Sequence, residues 1–121
     1  MEIEKILEDL LTGTQDVTGV AVIDMDGLLI ASALPEETDE GNIAAMSASI
    51  LSIGEKTVTE LWKGDISRIL IEGEDGYILL VQAGEDSMLL VMTRKKIKLG
   101  MLFFMAKHAA KKIESALKLN F

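Results

Sequence analysis

The segment between residues 43 and 61 constrains the fold more than any other part of the chain. At 3.6 residues per turn, its large aliphatic side chains fall on one stripe of a helix. That stripe consists of Ile43, Met46, Ile50, Ile53 and Leu61. The opposite side collects the small residues Ala45, Ala48, Ser49 and Ser52. We predict that the aliphatic stripe packs on a sheet of the same domain.

The small-residue side of this helix allows three interpretations. An Ala/Ser surface lets a second helix approach closely, which predicts a contact with another subunit. Alternatively, the helix is buried wholly inside its own domain, or its small side simply faces water. We favour the contact between subunits, because this side carries no charge before Glu55 and Lys56 and has no other evident purpose.

Length and hydropathy predict one domain, residues 1–121, that associates with itself or with a partner. The hydrophobic content of 49% and the mean hydropathy of +0.30 are high for a chain of 121 residues. Small domains leave much of their surface exposed, so surplus aliphatic area favours oligomerisation. No apolar run of about 18 residues predicts a membrane span, and no export signal is evident. We therefore expect a soluble, cytoplasmic protein.

The charge is distributed very unevenly along the chain. Residues 1–92 carry 19 acidic and 4 basic side chains, whereas residues 93–121 carry one acidic and eight basic ones. An acidic body with a pI near 4.6 disfavours nucleic-acid binding. The basic end predicts a solvated helix face, or else a patch for an acidic protein or a membrane surface. Only four Asn and Gln residues occur beside ten Lys and twelve Glu, which favours a thermophilic source.

The remaining periodicities predict eight elements in the order α-β-β-α-β-β-β-α. Helices are expected over residues 2–12, about 40–63 with Asp39 as a cap, and 99–118; strands are expected over 18–24, 28–33, 66–72, 77–83 and 87–93. The connections are short and rich in Asp and Gly, so neighbouring strands should pair antiparallel. The predicted fold class is therefore α+β, with a five-stranded antiparallel sheet sandwiched by helices.

No combination of residues predicts catalysis, a cofactor or a metal. One His and no Cys cannot form a structural zinc site. Acidic pairs such as Asp24/Asp26 lie in turns, where carboxylates are ordinary turn formers. His108 falls among lysines on the wet side of the last helix, and Arg68 falls in a strand. We predict that the protein is not an enzyme.

The ordered set of segments resembles the roadblock / dynein light chain family over nearly the whole chain. The matching segments are VTGVAVIDMDGLLIAS, AAMSASILSIGEKTVTELWKG, SRILIEGEDGYILLVQAGEDSMLLVMT and IKLGMLFFMAKHAAKKIESAL. The resemblance implies the strand order 2-1-5-4-3, with the first and last helices on one face and the long helix on the other. It also implies a homodimer in which the long helices pack together and the third strands pair edge to edge.

Carried onto this chain, the implied dimer places two groups of residues at the contact. The helix group is Ala45, Ala48, Ser49 and Ser52; the strand group is Arg68, Ile69, Leu70 and Ile71. Prokaryotic relatives act with small Ras-like GTPases, so the resemblance implies a non-catalytic scaffold that regulates such a GTPase. The alternative function is a ligand-sensing PAS- or profilin-like module, since those domains share this strand order. That alternative requires an internal cavity with convergent polar groups.

Overall fold

A computed structural model describes residues 2–119 of the chain. The helices are α1 (Glu2–Thr12), α2 (Glu40–Glu60) and α3 (Leu99–Leu119), and the strands are β1 (Val17–Asp24), β2 (Leu29–Ala33), β3 (Arg68–Glu72), β4 (Gly76–Gln82) and β5 (Ser87–Arg94). Every predicted element is present, with bounds within three residues of the expected ones.

The strands form one antiparallel sheet in the order β2-β1-β5-β4-β3. Val22 of β1 pairs with Leu89 of β5, and Val91 of β5 pairs with Leu79 of β4. The two edges of the sheet are therefore β2 and β3. This arrangement confirms the predicted fold class and strand order.

The apolar core has two layers because the sheet is covered on both faces. Side chains alternate along a strand, so Val20 and Val22 join the cluster under α1 and α3, whereas Ala21 and Ile23 join the cluster under α2. All four side chains are fully buried. Fewer helix residues cover the layer under α2, since α2 buries only Ala44, Ser47 and Leu51. We call this the thinner layer.

Two aspartates fix the ends of local elements. Asp39 is the N-cap of α2, where its carboxylate accepts a hydrogen bond from the backbone N–H of Asn42 at 3.1 Å. Asp24 closes the β1–β2 turn, because one of its carboxylate oxygens accepts the N–H groups of Asp26 and Leu28, each at 2.9 Å. The cap at Asp39 and the turn after β1 are confirmed.

The predicted buried stripe of α2 is wrong. Met46, Ile53 and Leu61 are 47%, 67% and 59% exposed, and only Ile43 and Ile50 lie half-buried at the margin of the core. The helix is rotated so that Ala44 and Ser47 touch the sheet instead. Small side chains let the helix approach the sheet closely, and this excludes most of the larger aliphatic residues from the contact.

Gly54 allows the same close approach at the β3 side of the sheet. A Cβ atom at this position would lie 2.7 Å from Cδ1 of Ile69 and 2.8 Å from Cδ1 of Ile66. A glycine inside a helix lowers helix stability by about 1 kcal/mol relative to alanine. A larger residue here would therefore need the ends of the Ile66 and Ile69 side chains to move aside.

None of the three helices within residues 2–119 combines the length and the hydropathy that a bilayer crossing requires.

Gly76 at the start of β4 provides a test of the sheet register. A Cβ atom there would lie 2.0 Å from the backbone oxygen of Thr93, so Gly76→Ala must displace one strand from the other. We expect the free energy of unfolding in urea to fall by roughly 2–3 kcal/mol. Gly100→Ala is the matched control, since its Cβ meets nothing within 4 Å and should raise stability by up to about 1 kcal/mol. Equal stability of the two variants would contradict this register.

Candidate protein interface

α2 covers one face of the sheet. The largest exposed apolar side chains on that face belong to the outward side of α2 and to the two residues that follow it. We name this surface the α2 outer face and define it by Ala45, Met46, Ser49, Ser52, Ile53, Leu61 and Trp62. Trp62 is 90% exposed, more than any other large apolar residue described. Because α2 has 21 residues and rises 1.5 Å per residue, the face extends over about 30 Å.

The structure separates the four helix residues that the sequence predicts at a subunit contact. Ala45, Ser49 and Ser52 are exposed on the α2 outer face. Ala48 is half-buried and turns toward the β1–β2 turn, where its Cβ would lie 3.6 Å from a Cβ built on Gly27. Three of the four side chains are thus available to a partner, and Ala48 serves the packing of its own chain.

The four strand residues lie on β3, at the edge of the sheet. Ile69 packs with the cluster under α2, and Leu70 packs with the cluster under α3. Arg68 and Ile71 are exposed, and Ile71 pairs with the equally exposed Ile78 of β4. Within residues 2–119, no strand pairs with the outer edge of β3. An apolar edge with free backbone groups is a template for pairing with another strand.

The α2 outer face and the β3 edge are neighbouring surfaces. Gly54 of α2 faces Ile69 of β3, since a Cβ atom built on Gly54 would lie 2.7 Å from Cδ1 of Ile69. Ile53 precedes Gly54 on the helix and is exposed, so aliphatic surface lies on the part of α2 that faces the β3 side of the sheet. A single partner can therefore cover both surfaces.

Both arginines of the chain are already engaged by neighbouring groups. The guanidinium carbon of Arg68 lies 3.9 Å from the ring centroid of Phe103, which is a cation–π contact. Arg94 donates a hydrogen bond to the backbone oxygen of Gln15. These contacts tie both side chains to their own chain and leave the α2 outer face without an arginine.

Trp62 is the residue of the α2 outer face that the sequence analysis does not single out. It follows the last turn of α2 with φ of 55°, the only positive φ among the described residues other than glycine. A bulky side chain in this left-handed conformation is uncommon and costs about 1–2 kcal/mol. The available signal was the single tryptophan of the chain beside Lys63 and Gly64, where a helix ends.

The carboxylates of the chain do not converge on a metal site in the described part of the chain. Residues 2–119 contain no group of three or more His, Asp or Glu side chains that could hold a cation. A groove of about 580 Å³ at one end of the sheet is lined in part by Asp24, Glu85, Asp86 and Glu114. This groove is half-enclosed and lies at the end of the sheet, whereas the central sheet positions are filled by aliphatic side chains, which does not favour a ligand-sensing module.

The Roadblock/LC7 domain family matches residues 3–93, about three quarters of the chain. The chain belongs to the Roadblock/LC7 family. An uncharacterized protein of Methanocaldococcus jannaschii, MJ1340, is 37% identical over 113 residues, which cover 93% of this chain and 97% of that protein. The recognition made from the ordered segments is thus confirmed.

Solved Roadblock/LC7 structures share the complete fold at low sequence identity. The Roadblock/LC7 domain from Streptomyces avermitilis superposes with a TM-score of 0.90 at 16% identity and covers 98% of this chain and 99% of its own. MglB from Myxococcus xanthus gives a TM-score of 0.91 at 18% identity, with 98% and 96% coverage. At these identities the likeness establishes the fold alone.

The backbone strain at Trp62 predicts an unusual ranking of variants. Trp62→Gly removes the left-handed strain, whereas Trp62→Ala removes the ring and keeps the strain. Because the ring is exposed, neither variant loses core packing, and Trp62→Gly should be the more stable by about 1 kcal/mol in urea denaturation. If Trp62→Ala were equally stable, the strain argument would be wrong.

Proposed function

We propose that the protein is a homodimeric, non-catalytic scaffold that regulates a small Ras-like GTPase. The observation that carries the proposal is the exposed aliphatic surface that runs from the α2 outer face to the unpaired β3 edge. A two-fold axis beside this surface would pair α2 with α2 and β3 with β3, as a self-complementary contact requires. Ala45, Ser49, Ser52, Arg68, Ile69, Leu70 and Ile71 form the proposed contact, and the exposed Ile53 beside Ser52 adjoins it. Ala48 would support the contact from within its own chain.

Membership of the Roadblock/LC7 family supports the GTPase as partner. Prokaryotic members act with Ras-like GTPases, and the fold likeness to MglB fits that role. The dimer would offer a rigid platform that reorders the GTPase's own switch loops. Arg68 and Arg94 both contact groups of their own chain. This supports activation by positioning of the GTPase's switch loops rather than by an arginine donated to its active site.

Ile53→Glu tests the dimer at its most exposed aliphatic residue on α2. The substitution places a charge where the proposed contact excludes water, which makes burial of the side chain unfavourable by several kcal/mol. Light scattering after size exclusion should give twice the 13.2 kDa chain mass for the wild type and the single mass for Ile53→Glu. Circular dichroism should show that the variant stays folded, since Ile53 lies outside the core.

Met101→Glu is the matched control for this experiment. Met101 is 51% exposed and lies on α3, which packs on the other face of the sheet. This variant should remain dimeric. A monomeric wild type, or an unchanged mass for Ile53→Glu, would refute the proposed dimer.

The mode of GTPase regulation is tested with purified Ras-like GTPases from the source organism. We expect the dimer to bind the form loaded with a GTP analogue at least tenfold more tightly than the GDP form in isothermal titration calorimetry. Loss of a donated arginine would lower the hydrolysis rate by about 10³-fold or more. Arg94→Ala should instead keep the stimulated rate within about threefold. A dimer that binds none of these GTPases would refute the partner assignment.

A further inference from the structure

The outward side of α3 carries a second exposed patch, in which aromatic and cationic side chains alternate. We name it the basic-aromatic face and define it by Phe104, Lys107, His108 and Lys111. All four side chains are exposed, and that of Phe104 is 66% exposed. Lys107, His108 and Lys111 follow Phe104 by three, four and seven residues, so the four side chains share one side of the helix.

Aromatic and cationic groups are in direct contact in and beside this face. The rings of Phe104 and His108 lie 4.3 Å apart between centroids, with an angle of 52° between their planes. The guanidinium of Arg68 covers the neighbouring Phe103, one residue before Phe104. Because α2 packs on the opposite face of the sheet, this patch is separate from the α2 outer face.

Neither lysine of the basic-aromatic face forms an ion pair within the described chain, and Glu114, three residues after Lys111, pairs with Lys118 instead. Ion pairs among residues 2–119 join Lys5 to Asp9, Lys95 to Glu72 and Lys118 to Glu114. Lys107 and Lys111 take part in none of them, although the chain has 20 acidic and only 12 basic side chains. Unmatched cations on an acidic protein are complementary to a negative charge supplied from outside.

A flat anionic membrane fits this region poorly because α1 lies beside α3 on the same face of the sheet. α1 exposes four carboxylates, those of Glu2, Glu4, Glu8 and Asp9, and one lysine. A bilayer that reached α3 would meet these carboxylates within about a Debye length, roughly 8–10 Å. A single protein segment, about 10 Å wide as a helix, can contact α3 without reaching α1.

A symmetric contact between two copies through this side of the sheet fits poorly as well. The acidic surface on this side of the sheet is α1, whose large apolar side chains are buried or half-buried. Contact with α1 of the other copy would pair its carboxylates with the lysines but would leave Phe104 without an apolar neighbour. The occupant must supply both carboxylates and an apolar side chain.

We propose that the basic-aromatic face binds an acidic segment of a partner protein that carries at least one large apolar side chain. Its carboxylates pair with Lys107 and Lys111, and its apolar side chain covers Phe104. The contact leaves the α2 outer face free, because it uses the opposite face of the sheet, and Arg68 at the β3 edge is the residue that borders both surfaces. This contact would give a role to the basic side chains that follow residue 92 in an otherwise acidic chain.

The test uses the full chain and a synthetic 18-residue peptide with Leu at every third or fourth position and Glu elsewhere. Fluorescence anisotropy of the labelled peptide should show saturable binding that weakens with salt. The double variant Lys107→Glu/Lys111→Glu should weaken binding at least tenfold, and Phe104→Ser about fivefold. A peptide with Gln in place of each Glu should not bind.

Lys56→Glu/Lys63→Glu is the matched control, with the same change of net charge away from α3. It should alter peptide affinity less than twofold, and light scattering should show that the Lys107→Glu/Lys111→Glu variant keeps the subunit number of the wild type. Absent binding, or equal loss in both double variants, would overturn the proposal. Flotation with phosphatidylglycerol vesicles that depends on Phe104 and Lys107 would overturn it in favour of a membrane, and a changed subunit number in favour of a second copy.

Discussion

The whole structure depends on a sheet whose inner strands are apolar on both sides. Val22 and Ile23 are adjacent in β1 and point to opposite faces, yet both are fully buried. Such a sheet is stable in water only when helices cover both faces. α1 and α3 together cover one face, whereas α2 alone covers the other. The thinner cover explains why exposed aliphatic surface collects around α2 and the β3 edge.

The periodicity of α2 correctly identifies its aliphatic stripe, but that stripe does not make the predicted contact with the sheet. Periodicity identifies the side of a helix that carries large aliphatic residues, but it does not say which apolar contact that side makes. Here Ala44 and Ser47 pack on the sheet, and Gly54 meets Ile69, because a helix close to the sheet needs small side chains. The larger Met46 and Ile53 are then left outside. In a chain that acts alone this exposure would be unfavourable, and in a dimer it would supply the contact.

Most of the fold could be predicted because its signals are local. Asp26 and Gly27 mark a tight turn, Asp39 marks a helix start, and alternation marks each strand. The strand order came from family resemblance, since nothing local specifies which strands become edges. The placement of Ala48 and Trp62 could not be predicted. The placement of Ala48 depends on how closely α2 approaches the β1–β2 turn. The placement of Trp62 depends on the backbone conformation of a single residue after a helix.

The two faces of the sheet differ in the kind of contact that they can offer. The α2 side is aliphatic and adjoins an open strand edge, so its contact would be dominated by burial of apolar area and by backbone pairing. The α3 side carries charge around one aromatic ring, so its contact would be selective for the sign of the partner's charge and sensitive to salt. Since the sheet separates α2 from α3, occupation of the α2 outer face leaves the basic-aromatic face accessible. A small single-domain protein can in this way join a permanent partner on one side and an exchangeable one on the other.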